Sequence, residues 1–173
     1  FDYQADFKIW LFIVLQGVIF SISYSESEKL IVTTSDDRSV KLWSIDDKNI
    51  DNDEKYWSNI KISLKFSLFG HTARVMRNKI TEDYIISVGE DAIMCIWKTN
   101  GDLIRKQKLY QDGCLWSLDC NKHNNIIVTG SSNSGVMIHR LISDLNNTND
   151  QIKELHFSDS ASTAKCVAIS ARK

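Results

Sequence analysis

The fold of this chain is decided by residues 84–97, which read Tyr-Ile-Ile-Ser-Val-Gly-Glu-Asp-Ala-Ile-Met-Cys-Ile-Trp. The stretch begins with apolar, mostly β-branched residues, passes through small and polar ones, and continues with a second apolar run. This order is typical of two strands joined by a tight turn. We therefore predict a β-hairpin over this stretch.

The same pattern occurs twice more along the chain. Residues 30–43 read Leu-Ile-Val-Thr-Thr-Ser-Asp-Asp-Arg-Ser-Val-Lys-Leu-Trp, and residues 126–139 read Ile-Ile-Val-Thr-Gly-Ser-Ser-Asn-Ser-Gly-Val-Met-Ile-His. In each copy a hydroxyl residue lies four positions before an acid or amide, which lies six positions before a ring. The matching residues are Thr33, Asp37 and Trp43, then Ser87, Asp91 and Trp97, then Thr129, Asn133 and His139. Three such coincidences indicate an internal repeat.

The spacing of the repeats predicts the architecture. The distance from Trp97 to His139 is 42 residues, whereas that from Trp43 to Trp97 is 54. The extra 12 residues match the polar run 46–57, which has no strand pattern and is interpreted as an inserted loop. Each hairpin also has strand-like segments on both sides. Those before it are 18–24, 74–80, 114–120 and, for a further unit, 163–170, and those after it are 60–69, 102–110 and 151–158.

Four strands per unit at a period of roughly 40–45 residues are typical of a β-propeller. We predict an all-β chain that forms part of a propeller, with about three four-stranded blades plus the first strand of a fourth. Since propellers close with roughly four to eight blades, the chain is expected to be a fragment with open ends.

Composition excludes several classes of protein. Of the 173 residues, 43% are hydrophobic and none is proline, which argues against disordered and collagen-like chains. The 21 Lys and Arg against 22 Asp and Glu exclude a uniformly basic nucleic-acid binder but leave room for a local basic patch. The apolar stretch 9–20 is too short to span a membrane and lacks the features of a signal peptide. We predict a cytoplasmic protein without a membrane partner.

The four cysteines do not predict a metal site. Cys120 and His123 have the spacing of metal ligands, and Cys114 lies nearby, but the sequence has no second pair. A structural zinc site needs four ligands. We interpret these residues as parts of strands and turns, and we predict neither a metal nor a cofactor.

At the ends of the middle unit, the sequence resembles the WD-repeat family. Gly70-His71, followed by Asp91 and Trp97, is similar to the Gly-His and Trp-Asp ends of a WD repeat. The name-giving dipeptide is absent, because Trp43 precedes Ser44 and Trp97 precedes Lys98. More narrowly, residues 70–75 with 89–91, and residues 17–24 with 35–40, resemble the WD repeat-containing protein 6 branch of the family. The resemblance covers residues 16–141.

The resemblance implies a structural role for the polar residues of the middle unit. In the family's tetrad, the Trp97 indole donates to the Ser87 hydroxyl, which contacts His71, while Asp91 accepts from the other ring nitrogen. Related positions in the outer units are Thr33, Asp37, Trp43, Thr129, Asn133 and His139. The alternative is a hydrolase with Ser87 as nucleophile. It is disfavoured because Ser87 lies within a strand instead of on a strained, exposed turn.

The resemblance also implies a function. The branch pairs with an FtsJ-like methyltransferase, which holds S-adenosylmethionine and methylates the 2′-hydroxyl of the wobble nucleotide in the tRNA anticodon loop. The expected protein is a non-catalytic subunit that binds and positions tRNA, with no small-molecule substrate of its own. A generic WD-repeat scaffold for a cytosolic complex, without a role in RNA, is the alternative.

Basic residues supply the candidate RNA or partner contacts. Arg74 lies within the family-like motif, and Arg38 lies in the turn of the first hairpin. A basic cluster follows the middle hairpin and consists of Lys98, Arg105, Lys106 and Lys108. Arginine stacks on bases and binds phosphate with two hydrogen bonds. The alternative is ordinary exposed surface charge.

The first 16 residues do not fit the repeat. The family pattern would place Gly-His shortly before Gly17, where the chain has Val14-Leu15-Gln16. We interpret residues 1–16 as foreign sequence, such as a translated intron or the result of a mis-joined gene, with a divergent strand as the alternative. Residues 17–173 are predicted to form the partial propeller.

Overall fold

The computed structural model describes residues 17–46, 61–121, 125–133, 135–141, 153–155 and 167. The segment 1–16, most of the predicted inserted loop and, except for residue 167, the predicted strand at 163–170 lie outside these ranges.

The described residues form three antiparallel sheets of four strands each. Blade 1 consists of β1 (Ile19–Ser25), β2 (Leu30–Ser35), β3 (Ser39–Asp46) and β4 (Lys61–Phe69). Blade 2 consists of β5 (Val75–Ile80), β6 (Tyr84–Gly89), β7 (Ile93–Lys98) and β8 (Leu103–Lys108). Blade 3 consists of β9 (Leu115–Asn121), β10 (Ile126–Ser131), β11 (Val136–Arg140) and β12 (Lys153–Leu155). The strands of each blade pair in chain order, so the prediction of an all-β propeller is confirmed.

Blade 2 forms the middle layer of the core. Because side chains alternate along a strand, β6 and β7 present two different apolar faces. One face packs with blade 1 in a cluster that includes Val32, Leu42, Ile85, Cys95 and Trp97. The other face packs with blade 3 in a cluster that includes Ile86, Met94, Ile96, Leu115 and Ile127. This explains why β6 and β7 are almost continuously apolar, as strands buried on both faces are.

The turns between the second and third strands of blades 1 and 2 have the same geometry. Arg38 and Ala92 occupy equivalent positions and adopt positive φ angles of 68° and 57°. The preceding aspartate stabilises each turn, since its Oδ1 accepts the backbone N–H two residues on. Asp37 accepts from Ser39 at 2.9 Å, and Asp91 accepts from Ile93 at 3.1 Å.

A polar seam joins the innermost strands of blades 1 and 2. The amide of Asn78, on β5, is buried and donates to the backbone oxygen of Ser21 at 3.1 Å and to Thr34 Oγ1 at 3.3 Å. Ser23 Oγ donates to the amide oxygen of Asn78. Beside it, the Arg77 guanidinium donates to the backbone oxygen of Phe20 at 3.1 Å. The buried polar atoms are therefore paired across the interface, which avoids the cost of an unsatisfied group.

Strands account for all the regular secondary structure that the described residues contain. Within these ranges, no helix has the length and apolar character needed to cross a membrane.

Candidate functional site

The four predicted tetrad residues lie together in blade 2. Trp97 Nε1 donates to Ser87 Oγ at 3.1 Å, and His71 Nε2 lies 2.9 Å from the same oxygen. On the other side of the imidazole, His71 Nδ1 lies 3.1 Å from both carboxylate oxygens of Asp91. The hydrogen bonds thus form one continuous chain from β7 through β6 to the connection that precedes β5.

The chemistry of the donors sets the direction of this chain. An indole N–H can only donate, so the Ser87 oxygen accepts from Trp97. The Ser87 proton is then available to His71 Nε2, and the proton on Nδ1 points to Asp91. This arrangement pairs every side-chain polar group of the four residues inside the blade.

Asp91 is held as an anion by several donors at once. Besides the His71 ring, the backbone N–H of Thr72 donates to Asp91 Oδ2 at 2.8 Å. Burial would raise the pKa of the Asp91 carboxyl, but the hydrogen bonds from His71, Thr72 and Ile93 outweigh this effect and lower the pKa below its ordinary value. Asp91 therefore fixes both the turn and the orientation of the imidazole.

Two glycines allow the backbone to approach this group closely. A Cβ atom on Gly70 would lie 2.7 Å from the Trp97 ring, and one on Gly89 would lie 2.5 Å from the backbone oxygen of Arg74. Both distances are shorter than real contacts, so the Gly-His motif is explained by the packing of the indole against the backbone.

This geometry does not suit a nucleophile. Ser87 is 0% exposed and lies in the middle of β6 between Ile86 and Val88. A catalytic hydroxyl must reach its substrate from an accessible turn. The Ser87 oxygen instead contacts two buried partners that hold the hairpin together.

Blade 1 keeps the ring and the hydroxyl but changes the partner of the aspartate. Trp43 Nε1 donates to Thr33 Oγ1 at 3.0 Å, as in blade 2. Asp37, however, is bonded to the ammonium of Lys41 at 2.8 Å. Burial raises the pKa of the Asp37 carboxyl, and the hydrogen bonds from Lys41 and Ser39 together lower it below its usual value. Sequence reasoning missed Lys41, although a lysine within an otherwise apolar strand was a signal for a buried charge pair.

Blade 3 carries a reduced version of the network. His139 lies in the position of the tryptophan, and its Nε2 lies 3.2 Å from Thr129 Oγ1. Its Nδ1 is buried without a hydrogen-bond partner in the described structure. Burial, and then the charge of Arg105, lower the pKa of His139 to about 4. The backbone N–H of Asn133 donates a hydrogen bond to Ser131 Oγ at 3.3 Å.

The thiols of the described cysteines stay protonated at neutral pH. Burial raises the pKa of Cys95 and Cys114 to about 12 and that of Cys120 to about 11. The thiolate is the form that attacks substrates and binds metals. Across the ranges that the structure describes, no cluster of three or more potential ligands could hold a metal ion, and His123 lies outside those ranges.

Arg74 joins two blades through an ion pair. Its Nε lies 2.6 Å from Asp36 Oδ1 in blade 1, and its Nη1 lies 3.8 Å from Glu90 Oε1 in blade 2. Arg38 is exposed and follows Asp36 and Asp37 in the same turn. Both candidate arginines therefore lie on a surface rich in carboxylates.

The basic cluster lies at the outer side of blade 2. Lys98, Lys106 and Lys108 are exposed. Arg105 instead reaches blade 3, where Nη1 donates to the backbone oxygen of Arg140 at 3.2 Å.

Repeated four-stranded antiparallel sheets are the architecture of a β-propeller. The family described as "WD domain, G-beta repeat" matches residues 13–44. Two solved structures, the computationally designed proteins Ika4 and Ika8, superpose with TM-scores of 0.68 and 0.67 at 16% identity. Both alignments cover 91% of this chain, with 82% of Ika4 and 42% of Ika8 covered. The chain has the fold of a partial β-propeller and is similar to the WD-repeat family.

Curated relatives narrow the assignment. The chain is similar to the proteins named "tRNA (34-2'-O)-methyltransferase regulator WDR6" from Homo sapiens, at 31% identity over 126 residues, and Drosophila melanogaster, at 37% over 134 residues. These alignments cover 73% and 75% of this chain. They cover only 11% of the human protein and 13% of the fly protein, so the chain spans a small part of either relative. The resemblance predicted from the sequence is confirmed.

Proposed function

We propose that this chain is part of a non-catalytic WD-repeat subunit that binds and positions tRNA for an FtsJ-like 2′-O-methyltransferase. The reaction supported is ribose methylation of the wobble nucleotide in the anticodon loop, in the cytoplasm. The observation that carries the proposal is the similarity of 73% of the chain to proteins named regulators of a tRNA (34-2'-O)-methyltransferase. In this proposal, the partner enzyme holds S-adenosylmethionine and transfers the methyl group.

The burial and hydrogen bonding of the polar residues support a non-catalytic role. In blade 2 the serine, histidine and aspartate that could form a hydrolytic triad are all bonded to one another inside the sheet. The described thiols are protonated at neutral pH because burial raises their pKa values. These groups stabilise a rigid blade instead of forming a reaction centre.

A rigid propeller suits the positioning of a large substrate. Methyl transfer requires the ribose hydroxyl and the methyl donor to be held in one geometry. A subunit that fixes the RNA reduces the entropy that must be lost to reach this geometry. The blades meet through two apolar clusters and a polar seam, which hold the strands that carry the surface side chains together.

The test is the methylation state of nucleotide 34 in cells that lack the protein. We expect 2′-O-methylation of the wobble nucleotide to be lost and then restored by the intact protein. A pull-down of the intact protein should recover tRNA and the methyltransferase together, and the tRNA fraction should fall with added salt. Unchanged methylation in the deletion strain would contradict the proposal and favour the generic scaffold.

A further inference from the structure

The outermost strands of blades 1 and 2 carry positive charge without negative charge. Strand β4 reads Lys-Ile-Ser-Leu-Lys-Phe-Ser-Leu-Phe and β8 reads Leu-Ile-Arg-Lys-Gln-Lys, with no acidic residue in either. Four of their lysines are exposed, and we call them the outer-edge lysines: Lys61, Lys65, Lys106 and Lys108. The chain as a whole is nearly neutral, at a net charge of −1, so this is a local concentration of cations.

The outer-edge lysines form no ion pair with a carboxylate of the described residues. Ion pairs with carboxylates hold Lys41, Arg74 and Lys79. An exposed and unpaired ammonium group is available for a phosphate, whereas a paired one must first give up its carboxylate.

Exposed apolar side chains lie at the ends of the same two strands. There Phe69 pairs with Ser39 beside the turn that holds Asp37, and Leu103 pairs with Trp97. Phe69, at the end of β4, is 71% exposed, and Leu103, at the start of β8, is 44% exposed. Lys65 places its ammonium 6.0 Å from the centre of the Phe66 ring. Cations that bind phosphates next to an exposed ring that can stack on a base are the usual elements of a single-stranded RNA surface.

The turns between the second and third strands of blades 1 and 2 form a surface that we call the turn surface, and this surface is acidic. Asp36, Asp37 and Glu90 lie there, and the Arg74 guanidinium is already bound to Asp36. A phosphate chain that approached Arg38 or Arg74 would meet these carboxylates, and like charges in contact are repulsive. These acidic residues therefore lie in the turns, whereas the four lysines lie on the outermost strands.

We propose that the outer edges of blades 1 and 2 bind the phosphate backbone of tRNA, with the Phe69 ring stacked on an unpaired base. This inference rests on the proposed function and names the surface that carries it out. Lysines on an edge strand also prevent edge-to-edge pairing with other sheets. A charge of either sign serves that purpose, so charge reversal separates the two roles.

The experiment measures binding of transcribed, unmodified tRNA to the intact protein at several salt concentrations. The test variant is Lys106→Glu/Lys108→Glu, and the matched comparator is Arg38→Glu/Arg140→Glu, which makes the same change in net charge at exposed positions in the turn of blade 1 and on the third strand of blade 3. We expect the test variant to bind tRNA at least about tenfold more weakly, with the slope of affinity against salt reduced by about one to two units. The comparator should lose less affinity. Thermal melting checks that both variants are folded.

Two further variants sharpen the test. Lys106→Arg/Lys108→Arg keeps the charge and should bind as the original protein does. Phe69→Ala should weaken binding by about fivefold or more while leaving the salt slope unchanged, because stacking releases no counterions.

The outcomes distinguish this inference from the proposed function. If the original protein shows no salt-dependent tRNA binding, the proposed function itself is contradicted. If it binds tRNA and Lys106→Glu/Lys108→Glu binds equally well, only the outer-edge inference is overturned. The inference is also overturned if charge reversal spares tRNA but releases the methyltransferase, since the surface would then hold a protein.

Discussion

Blades 2 and 3 both place a buried ring next to a hydroxyl group, but different residues form the hydrogen bonds. In blade 2, an indole, a hydroxyl, an imidazole and a carboxylate form one continuous chain of hydrogen bonds. In blade 3, an imidazole takes the place of the indole, contacts the hydroxyl of Thr129 and leaves Nδ1 without a partner in the described structure. Both blades need a buried ring next to a buried hydroxyl. The additional hydrogen bonds of His71 and Asp91 stabilise blade 2 more than blade 3.

The largest expected effect is the loss of the indole from blade 2. Trp97→Ala should lower the free energy of unfolding by about 3–5 kcal/mol, because it leaves a cavity and removes the donor to Ser87. Urea unfolding of the intact protein measures the change. Trp116→Ala, at a half-buried tryptophan of β9, is the matched control and should cost less. Equal costs at the two positions would contradict the central place of Trp97 in the core.

Breaking the polar chain should have a smaller effect. His71→Ala leaves the buried groups of Ser87 and Asp91 without their partner, at a cost of about 2–3 kcal/mol. In a double-mutant cycle with Asp91→Ala, the two single costs should exceed the double cost by at least about 0.5 kcal/mol. Strictly additive costs would show that the two side chains stabilise the blade independently.

The imidazole of blade 3 should make stability depend on pH. Because burial lowers the pKa of His139 to about 4 in the folded chain, the unfolded chain binds more protons as the pH falls below the ordinary value near 6.5. The stabilisation is complete above pH 6.5 and is lost between pH 6.5 and about 4, by at most about 1.4 kcal/mol per pH unit. His139→Trp should flatten this part of the profile, as measured by thermal melting across that range. An identical profile in the variant would assign the dependence to another group.

The smallest expected effect is that of removing the Arg74 ion pair that links blades 1 and 2. The Arg74 side chain is 55% exposed, and exposed ion pairs contribute little. Arg74→Gln should cost less than about 1 kcal/mol, and the difference should shrink in high salt. The loss of tRNA affinity should also be smaller than in the outer-edge variant. If Arg74→Gln lost more tRNA affinity than the outer-edge variant, the RNA would contact the turn surface instead of the outer edges.

The sequence was sufficient for features that depend on local pattern. The hairpins of residues 84–97 and 30–43 were predictable because alternation and turn chemistry are encoded within a few residues. The predicted tetrad followed from the family resemblance at fixed spacing, and the structure places His71, Ser87 and Asp91 within hydrogen-bond distance.

Contacts between blades could not be predicted in this way. Asn78 bonds with Ser21, 57 residues earlier, and nothing in either local pattern indicates the other. Arg74 was a candidate RNA contact from its motif, but its ion pair with Asp36 depends on how blades 1 and 2 face each other. Lys41 differs from these, because its position within a buried strand and four residues after Asp37 was visible in the sequence.

The polar seam at Asn78 has a consequence for the accuracy of folding. A chain of similar hairpins can stack in a wrong order, and such misassembly is a characteristic failure of repeat proteins. Apolar faces tolerate many partners, whereas a buried amide is satisfied only where donors and acceptors stand opposite it. Asn78 meets Ser21 and Thr34 only when β5 lies against β1 and β2, and Lys79 meets Asp119 at 2.9 Å only when β5 lies beside β9. Adjacent residues of β5 thus favour the order in which blade 2 lies between blades 1 and 3.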